Sequence, residues 1–222
     1  KVMPVSSFSS RRSSRTRSPF SESRLPVGSS ARISRGSTRS ALATAALRFQ
    51  KDPTVDQVVI CSPDKDLAQL VSGDRVVCWD RRRNIVYDEA AVIKKYGVAP
   101  VSIPDWLALV GDAADGIPGV PAWGAKSSAT VLSKYQHLEA IPAELEKWEI
   151  SVRGAPRLLE NFNSHREQAF LYRRLATLRS DVPLAESLDD LRWKGPQDNF
   201  EQLCQELGAV ELPTRLPSWE LE

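Results

Sequence analysis

The stretch that decides the fold is LALVGDAADGIPGVPAWGAKSSATVL, which spans residues 107–132. Two helical patterns flank its centre, and we predict them as Asp105–Val110 and Lys126–Tyr135. Between them, Gly111–Gly124 is so dense in glycine and proline that it predicts consecutive tight turns. Backbone N–H groups at the start of the second helix, with the lysine and serines there, are typical of a phosphate-binding site. An ordinary connection between helices is the alternative.

The sequence before this stretch has the pattern of an α/β fold. Apolar runs predict three strands: Val58–Cys61, which is apolar enough to be buried on both faces, Arg75–Trp79 and Ile85–Tyr87. The helices predicted here are one ending with Ala41–Phe49, one beginning at Ser62–Asp64, and one from Asp88 to Tyr96 capped by Gly97. After Pro104 only helices are predicted, the later ones being Ser164–Leu178 and Asp198–Leu207. We therefore predict a partial three-layer α/β unit over residues 41–103 and a helical domain over residues 104–222.

Residues 1–40 differ in composition from the rest of the chain. They hold fourteen serines, nine basic residues and one acidic residue, a net charge of +8. Residues 41–222 hold 21 basic and 27 acidic residues, a net charge of −6. A segment with so little apolar surface cannot offset its chain entropy, so we predict that residues 1–40 are disordered. A solvated tail and a basic arm that contacts phosphates are both compatible with this composition.

Bulk features exclude some classes of protein. No apolar run approaches the roughly 20 residues of a membrane span, and none follows the basic N-terminus as in a signal peptide. We expect a cytoplasmic, monomeric protein that makes no membrane contact. Cys61, Cys78 and Cys204 are far apart and form no C-x-x-C pair. We interpret them as reduced core thiols, because disulfide frames and zinc sites need closer or even-numbered sets.

Two pairs of aspartates are candidate metal ligands. Asp64 and Asp66 follow a predicted strand, and ligand sites of open α/β sheets lie at the carboxyl ends of strands. Asp112 and Asp115 are three residues apart at the end of a predicted helix, which places them on one side of it. The alternatives are helix capping for the first pair and turn formation for the second.

The order and spacing of these segments resemble the 5′→3′ exonuclease (flap endonuclease) family, including the N-terminal nuclease domain of bacterial DNA polymerase I. The resemblance is carried by SPDKDLAQLV (62–71), the stretch quoted above and KYQHLEAI (134–141), and ATLRSDVPL (176–184) also fits. It covers about residues 41–210. It implies a partial α/β nuclease sheet followed by a helical DNA-binding domain that contains a helix–three-turn–helix.

The resemblance also implies roles for individual residues. A carboxylate set would bind two divalent metals, Mg²⁺ or Mn²⁺, one activating water and the other stabilising the leaving oxygen. The members of this set are Asp64, Asp66, Asp112 and Asp115. A second set would contact the backbone of duplex DNA bearing a 5′ end or flap, with K⁺ held by turn carbonyls. Its members are Gly119, Gly124, Lys126 and Ser127. The two aspartate pairs must then converge, and mutual repulsion is expected to raise at least one of their pKa values.

Two departures from the family pattern stand out. The usual first glycine of the turn's G-x-G pair is Ala122, whose Cβ is expected to crowd a phosphate or to force a positive φ to relax. The family also has a first strand ending in an aspartate, a flexible basic arch and a Glu-x-Asp-Asp cluster just before the helix matching Ala41–Phe49. Here Glu22 is the only acid before Asp52, and Arg35–Ser40, RGSTRS, stands at the position of the cluster.

We therefore interpret residues 1–40 as a segment that is not the natural N-terminus of this fold. A misread frame or a mis-set gene start would give such a segment. The resemblance implies a metal-dependent hydrolase of DNA 5′ ends and flaps, impaired because the upstream carboxylates are missing. The alternatives are a non-catalytic, structure-specific duplex DNA-binding module and a truncated product with neither activity.

Overall fold

The computed structural model of the chain describes residues 35–193 and 195–215, with side chains from residue 38 onward. The strands are β1 (Val58–Ile60), β2 (Val76–Asp80) and β3 (Ile85–Tyr87). The helices are α1 (Arg35–Phe49), α2 (Glu89–Tyr96), α3 (Ile103–Val110), α4 (Ala125–Tyr135), α5 (Ala155–Ser164), α6 (Arg166–Ala176), α7 (Leu188–Leu191) and α8 (Phe200–Glu206). Short 3₁₀ helices lie at Lys65–Leu70, Pro100–Ser102, Leu138–Ala140, Leu145–Lys147 and Pro213–Arg215. The fold is the predicted mixed α/β class, with the sheet first and helices after it.

The described sheet has the order β1-β2-β3. β1 runs parallel to β2, and β2 pairs antiparallel with β3 through a short connection. The carboxyl group of Asp80 accepts hydrogen bonds from the N–H groups of Arg82 and Arg83, which fixes this tight connection. The prediction that the first strand is buried on both faces is wrong. Val59 is 43% exposed and Ile60 is buried, so only one face of β1 is covered.

Helix α1 begins upstream of the boundary predicted at Ala41. Residues 1–34 lie outside the described residues, but the segment from Arg35 is helical and continues directly into the predicted helix. Ala43 and Ala46 are buried in the core, and the side chain of Arg39 contacts carboxylates of distant segments. These contacts explain why the start of the helix is ordered despite a composition that predicts disorder.

The segment after β1 forms a 3₁₀ helix, Lys65–Leu70, where the sequence predicts a longer helix. Asp64 is its N-cap, and the Asp64 carboxylate accepts a hydrogen bond from the N–H of Asp66 at 3.1 Å. The helix stops at Val71 because the next residue, Ser72, pairs with Val76 at the start of β2. The capping role proposed for Asp64 is therefore real, and it leaves the rest of its carboxylate available to other groups.

The long helix predicted over Ser164–Leu178 is two helices. Helix α5 ends at Ser164 and α6 begins at Arg166, with His165 between them in a non-helical conformation. The Nδ1 atom of His165 lies 2.9 Å from the carbonyl oxygen of Asn161 and 3.1 Å from Ser164 Oγ. These side-chain contacts lie at the break, although the backbone bonds from His165 N–H to the Asn161 carbonyl and from Ala169 N–H to the His165 carbonyl are kept at 3.0 and 2.9 Å.

Helix α3 is the centre of the helical part and packs against α4 and α6. Its buried residue Asp105 accepts a hydrogen bond from the N–H of Leu138 at 3.1 Å and contacts the guanidinium of Arg173 on α6 at 3.3 Å. His137 Nδ1 lies 3.0 Å from the other carboxylate oxygen. A buried carboxylate is tolerated here because it is paired and hydrogen-bonded. It ties α3 to α6 and to the turn that follows α4.

The described cysteines are all free thiols. Cys78 and Cys204 are buried as predicted, but Cys61 is exposed because it follows the edge strand β1. In the part of the chain that the structure describes, no helix combines the length and the apolar character that a membrane crossing requires.

Candidate metal centre

The first aspartate pair lies where β1 ends and the 3₁₀ helix begins. Asp66 is 3% exposed, and its side chain points into the protein, whereas Asp64 lies at the rim. As a carboxylate, Asp66 leaves its Oδ1 atom buried and, among the described residues, without a hydrogen-bond partner. A buried carboxylate oxygen without a partner carries a desolvation cost that a cation would remove.

The second pair lies in the turn that follows α3. Asp112 pairs with Ile117 through two backbone hydrogen bonds of 2.7 and 2.8 Å, which close the turn. The Asp112 carboxylate also accepts from the N–H of Ala114 at 3.1 Å, so the proposed turn-forming role is real. Asp112 is buried, whereas Asp115 is exposed at the edge of the same turn. The tight turn therefore directs both carboxylates toward the end of β1.

The two pairs converge, although they come from separate parts of the chain. One carboxylate oxygen from each of Asp66, Asp112 and Asp115 lies within 4.8 Å of the other two. Asp64 is joined to the same group through a shared guanidinium. Oxygen ligands in such a group suit a hard divalent cation such as Mg²⁺. We call Asp64, Asp66, Asp112 and Asp115 the carboxylate cluster.

Two cationic side chains enter the carboxylate cluster, and sequence reasoning missed both. Arg39 lies 2.7 Å from Asp64, 2.7 Å from Asp66 and 2.6 Å from Asp115. Lys65 Nζ lies 2.8 Å from Asp112 Oδ1. A signal for both was present. Lys65 separates the first two aspartates, and Arg39 lies in the segment where the family resemblance expects carboxylates.

The electrostatics of the carboxylate cluster are uneven. Burial raises the pKa of Asp66 to about 7, with further increases from the hydrogen bond it shares with Asp115 and from the charge of Asp64. The hydrogen bond from Arg39 lowers the pKa of Asp115. The same bond raises the pKa of Arg39 above its ordinary value. A carboxyl pKa is therefore raised at Asp66 as predicted, but burial, and not the predicted mutual repulsion, is its largest cause.

Asp66→Asn is expected to flatten the pH dependence of stability. The Asp66 pKa is about 7 in the folded chain and near 3.8 ordinarily, so the folded state holds its proton more tightly. The stability from this carboxyl is fully present below about pH 4 and is lost as pH rises through about 7. Between pH 5 and pH 8, the unfolding free energy of the unmodified chain is expected to fall by about 2 kcal/mol more than that of Asp66→Asn, allowing for solvent at the rim.

Urea unfolding at the two pH values measures this difference. Asp74→Asn is the matched control, because Asp74 is exposed and outside the carboxylate cluster. Parallel pH profiles for Asp66→Asn and the unmodified chain would show that Asp66 titrates normally.

The residues predicted to contact DNA do not form one group. Gly124 is the N-cap of α4, and Lys126 and Ser127 lie in the first turn, Lys126 exposed and Ser127 half-buried. The Ser127 hydroxyl accepts from the N–H of Gly124 at 3.0 Å and donates to the Gly124 carbonyl, so it closes the helix start. Gly119 instead packs against the backbone where α3 ends. The loop therefore presents a helix N-terminus and a lysine to solvent, with Gly119 beneath.

Ala122 keeps the backbone geometry that a glycine normally supplies. Its φ is +70°, in the left-handed region that costs a residue with a Cβ roughly 1–2 kcal/mol. The positive φ has therefore not relaxed. Next to it, Trp123 is buried, donates from Nε1 to the carbonyl of Leu158 at 2.9 Å and packs on the ring of Phe162. This anchor on α5 holds the strained turn in place.

Known proteins that are similar to this chain carry the names of exonucleases and DNA polymerases. A family model described as "5′-3′ exonuclease, C-terminal SAM fold" matches residues 98–199. The chain is 39% identical over 160 residues to a 5′-3′ exonuclease of Aquifex aeolicus, an alignment covering 72% of this chain and 51% of the relative. It is 38% identical over 159 residues to a DNA polymerase I of Caldicellulosiruptor bescii, covering 69% and 18%. The chain thus spans about half the length of the curated 5′-3′ exonuclease.

The fold is also found among solved structures. A structure of T5 5′-exonuclease with bound divalent zinc ions has a TM-score of 0.50 and 21% identity, over 61% of this chain and 49% of that one. A structure of the T5 D15 protein co-crystallized with metal ions gives a TM-score of 0.50 and 20% identity over the same shares. At this identity the likeness concerns the fold alone.

Proposed function

We propose that this chain acts on DNA ends as a divalent-metal-dependent nuclease of low activity. The premise is the match of residues 98–199 to the C-terminal SAM-fold family of the 5′-3′ exonucleases. The observation that carries the proposal is the convergence of carboxylates from two separate segments beside the turn after α3. Structural acidic side chains are usually spread over a surface, whereas this group directs a buried, unpartnered oxygen inward. The proposed substrate is duplex DNA with a 5′ end or flap.

The proposed roles follow from placement. Asp66, Asp112 and Asp115 would hold the cation, with Asp64 at the rim beside them. A bound Mg²⁺ or Mn²⁺ would supply Lewis-acid stabilisation of charge on a phosphodiester and lower the pKa of a coordinated water. The protein's own contribution is to fix these oxygens on two rigid segments. Asp112 is fixed by its turn, and Asp66 by the 3₁₀ helix that Asp64 caps.

Low activity is proposed because the carboxylates of the described residues suit one cation and not two. Two-metal hydrolysis requires cations about 3.5–4 Å apart that bracket the attacking and leaving oxygens. In the described part of the chain, the only group of three or more close metal-binding side chains is the one formed by Asp66, Asp112 and Asp115. Two of these carboxylates also contact the guanidinium of Arg39.

The second candidate function is a non-catalytic duplex DNA-binding module. It is favoured by the ion pairs of Arg39 and Lys65, which already occupy oxygens of the carboxylate cluster, and by the exposed Lys126 in the first turn of α4. A nuclease assay on a 5′-flap duplex separates the two functions, and a binding titration in increasing salt tests the contact that both share. The proposed contact includes K⁺ at the turn carbonyls, which replacing K⁺ by Na⁺ in the titration tests.

Lys126→Ala is expected to weaken duplex DNA binding regardless of sequence. The ammonium of Lys126 lies in the exposed first turn of α4, where backbone N–H groups and the helix dipole favour a phosphate. The plot of log affinity against log salt is expected to flatten by about one ion. Fluorescence anisotropy with a labelled flap duplex measures both effects.

Lys147→Ala is the matched control, because it removes the same charge from an exposed turn elsewhere. If Lys126→Ala and Lys147→Ala bind DNA with the same affinity and salt slope, the loop before α4 is a structural connection only.

A further inference from the structure

The guanidinium of Arg39 lies at the position where a cation would contact the carboxylate cluster. Its Nε is 2.7 Å from Asp64 Oδ2, and its Nη1 is 2.7 Å from Asp66 Oδ2 and 2.6 Å from Asp115 Oδ2. Its Nη2 donates to the second oxygen of Asp115 at 3.2 Å. One side chain thus bridges three carboxylates from both aspartate pairs.

Lys65 contacts the remaining member of the carboxylate cluster. Its ammonium is 2.8 Å from Asp112 Oδ1, so each member of the carboxylate cluster has a cationic partner within the chain. The two partners are not equivalent. The ammonium contacts one carboxylate, whereas the planar fork of the guanidinium matches several carboxylate oxygens at once. Arg39 is therefore the side chain that holds the two pairs together.

We propose that Arg39 is a built-in counter-ion of the carboxylate cluster, which competes with divalent metal for the same oxygens and must leave before metal binds. Mg²⁺ requires oxygen ligands at about 2.0–2.1 Å in nearly octahedral geometry. Asp66 Oδ2 and both Asp115 oxygens are already directed at N–H groups. This inference rests on the proposed function only in taking the carboxylate cluster as a cation site.

The fold allows Arg39 to leave without unfolding. Its backbone is fixed in α1, whose Ala43 and Ala46 are buried in the core. The Arg39 side chain is 24% exposed, so rotation about its side-chain bonds carries the guanidinium to solvent. Its charge cannot be removed by pH in the physiological range, because an arginine stays protonated. Arg39 is therefore removed from the carboxylates through displacement by metal and not through its own deprotonation.

Manganese binding tests this directly, in the absence of DNA. The chain and its Arg39→Gln variant are titrated with Mn²⁺, and free Mn²⁺ is read by electron paramagnetic resonance. If the state with Arg39 displaced is about 10% populated or less, the unmodified chain binds at least about tenfold more weakly than Arg39→Gln. Thermal unfolding gives a second readout. Excess Mn²⁺ is expected to raise the Tm of Arg39→Gln by more than that of the unmodified chain.

Arg48→Gln is the matched control, because Arg48 lies on the same helix and donates to the Leu184 carbonyl instead of to a carboxylate. Equal Mn²⁺ affinity of Arg39→Gln and the unmodified chain overturns the inference while leaving the cation site intact. If neither binds Mn²⁺, the metal role in the proposed function fails as well. Should Arg39→Gln fold only with Mn²⁺, the inference is supported. If Arg39→Gln does not fold at all, the Mn²⁺ affinity of the unmodified chain is the deciding measurement. A dissociation constant in the micromolar range then overturns the inference that Arg39 competes with metal.

Discussion

Purified residues 1–222 are expected to cleave a labelled 5′-flap duplex in magnesium at least about a thousandfold more slowly than the lower end of the usual enzyme range of about 1–1000 per second. Two features of the carboxylate cluster lead to this result. Asp66, Asp112 and Asp115 can surround one cation, whereas phosphodiester hydrolysis by two metals needs a second set of ligands. In addition, Arg39 and Lys65 already hold the oxygens of the first set.

Positioning of the substrate adds to the expected loss. Holding reacting groups in the right geometry contributes on the order of 7–11 kcal/mol to well-organised reactions. The proposed DNA contact in the described residues is the first turn of α4. If DNA is held there alone, the scissile phosphate is free to move relative to the carboxylates. Because the effects of missing parts of a catalytic unit do not simply add, the residual rate is expected to be close to background.

Asp112→Ala is the control for this assay, since Asp112 is buried in the carboxylate cluster. Cleavage that survives in Asp112→Ala comes from a contaminating nuclease and is subtracted. Turnover within the usual enzyme range that Asp112→Ala abolishes would show that four carboxylates suffice, and that the low-activity proposal is wrong. Trace cleavage together with measurable duplex binding would agree with it.

Gly119→Ala is expected to lower the free energy of unfolding by about 3–5 kcal/mol, a large share of the roughly 5–15 kcal/mol typical of a domain. A Cβ at this position would lie 2.7 Å from Gly111 N, 2.7 Å from the carbonyl carbon of Val110 and 2.8 Å from Leu109 O. All three are backbone atoms. The φ of Gly119 is +79°, which adds the strain of a left-handed residue.

The surrounding backbone has little freedom to yield. The N–H of Val120 donates to the carbonyl of Leu109 at 2.8 Å, and the N–H of Gly111 donates to Leu107 at 2.8 Å. Moving either segment of the backbone, the one around Gly119 or the one at the end of α3, away from a new Cβ would therefore break one of these hydrogen bonds. Chemical denaturation with matched m-values measures the loss.

Substitutions at two other glycines of the same turn distinguish backbone strain from the crowding of a new Cβ. Gly116 has a φ of +72° but open space around its Cβ position, so Gly116→Ala reports backbone strain alone. Gly124 has an ordinary φ and open space, and Gly124→Ala is expected to be nearly neutral for stability. If Gly119→Ala is no worse than Gly116→Ala, the close approach of the turn to α3 is not a packing constraint.

The sequence by itself determined the elements that depend on neighbouring residues. The tight turns of Gly111–Gly124 between two helices, the β2 and β3 strands, and α2 with its Asp88 N-cap and Gly97 C-cap were all predictable. Each follows from local preferences: glycine for positive φ, aspartate for a helix start, and apolar periodicity for a buried face. The candidate metal ligands were found differently, from the resemblance of their order and spacing to a known family.

Only the tertiary structure decided which groups contact each other across the chain. Arg39 pairs with Asp66, 27 residues away, and with Asp115, 76 residues away, and no local pattern reports such a choice. The same holds for Val59, whose strand pattern predicts burial on both faces but whose side chain is 43% exposed in the folded chain. Local preference fixes the conformation of a segment. The partner of a charge, and the side of a strand that water reaches, depend on how distant segments pack around it.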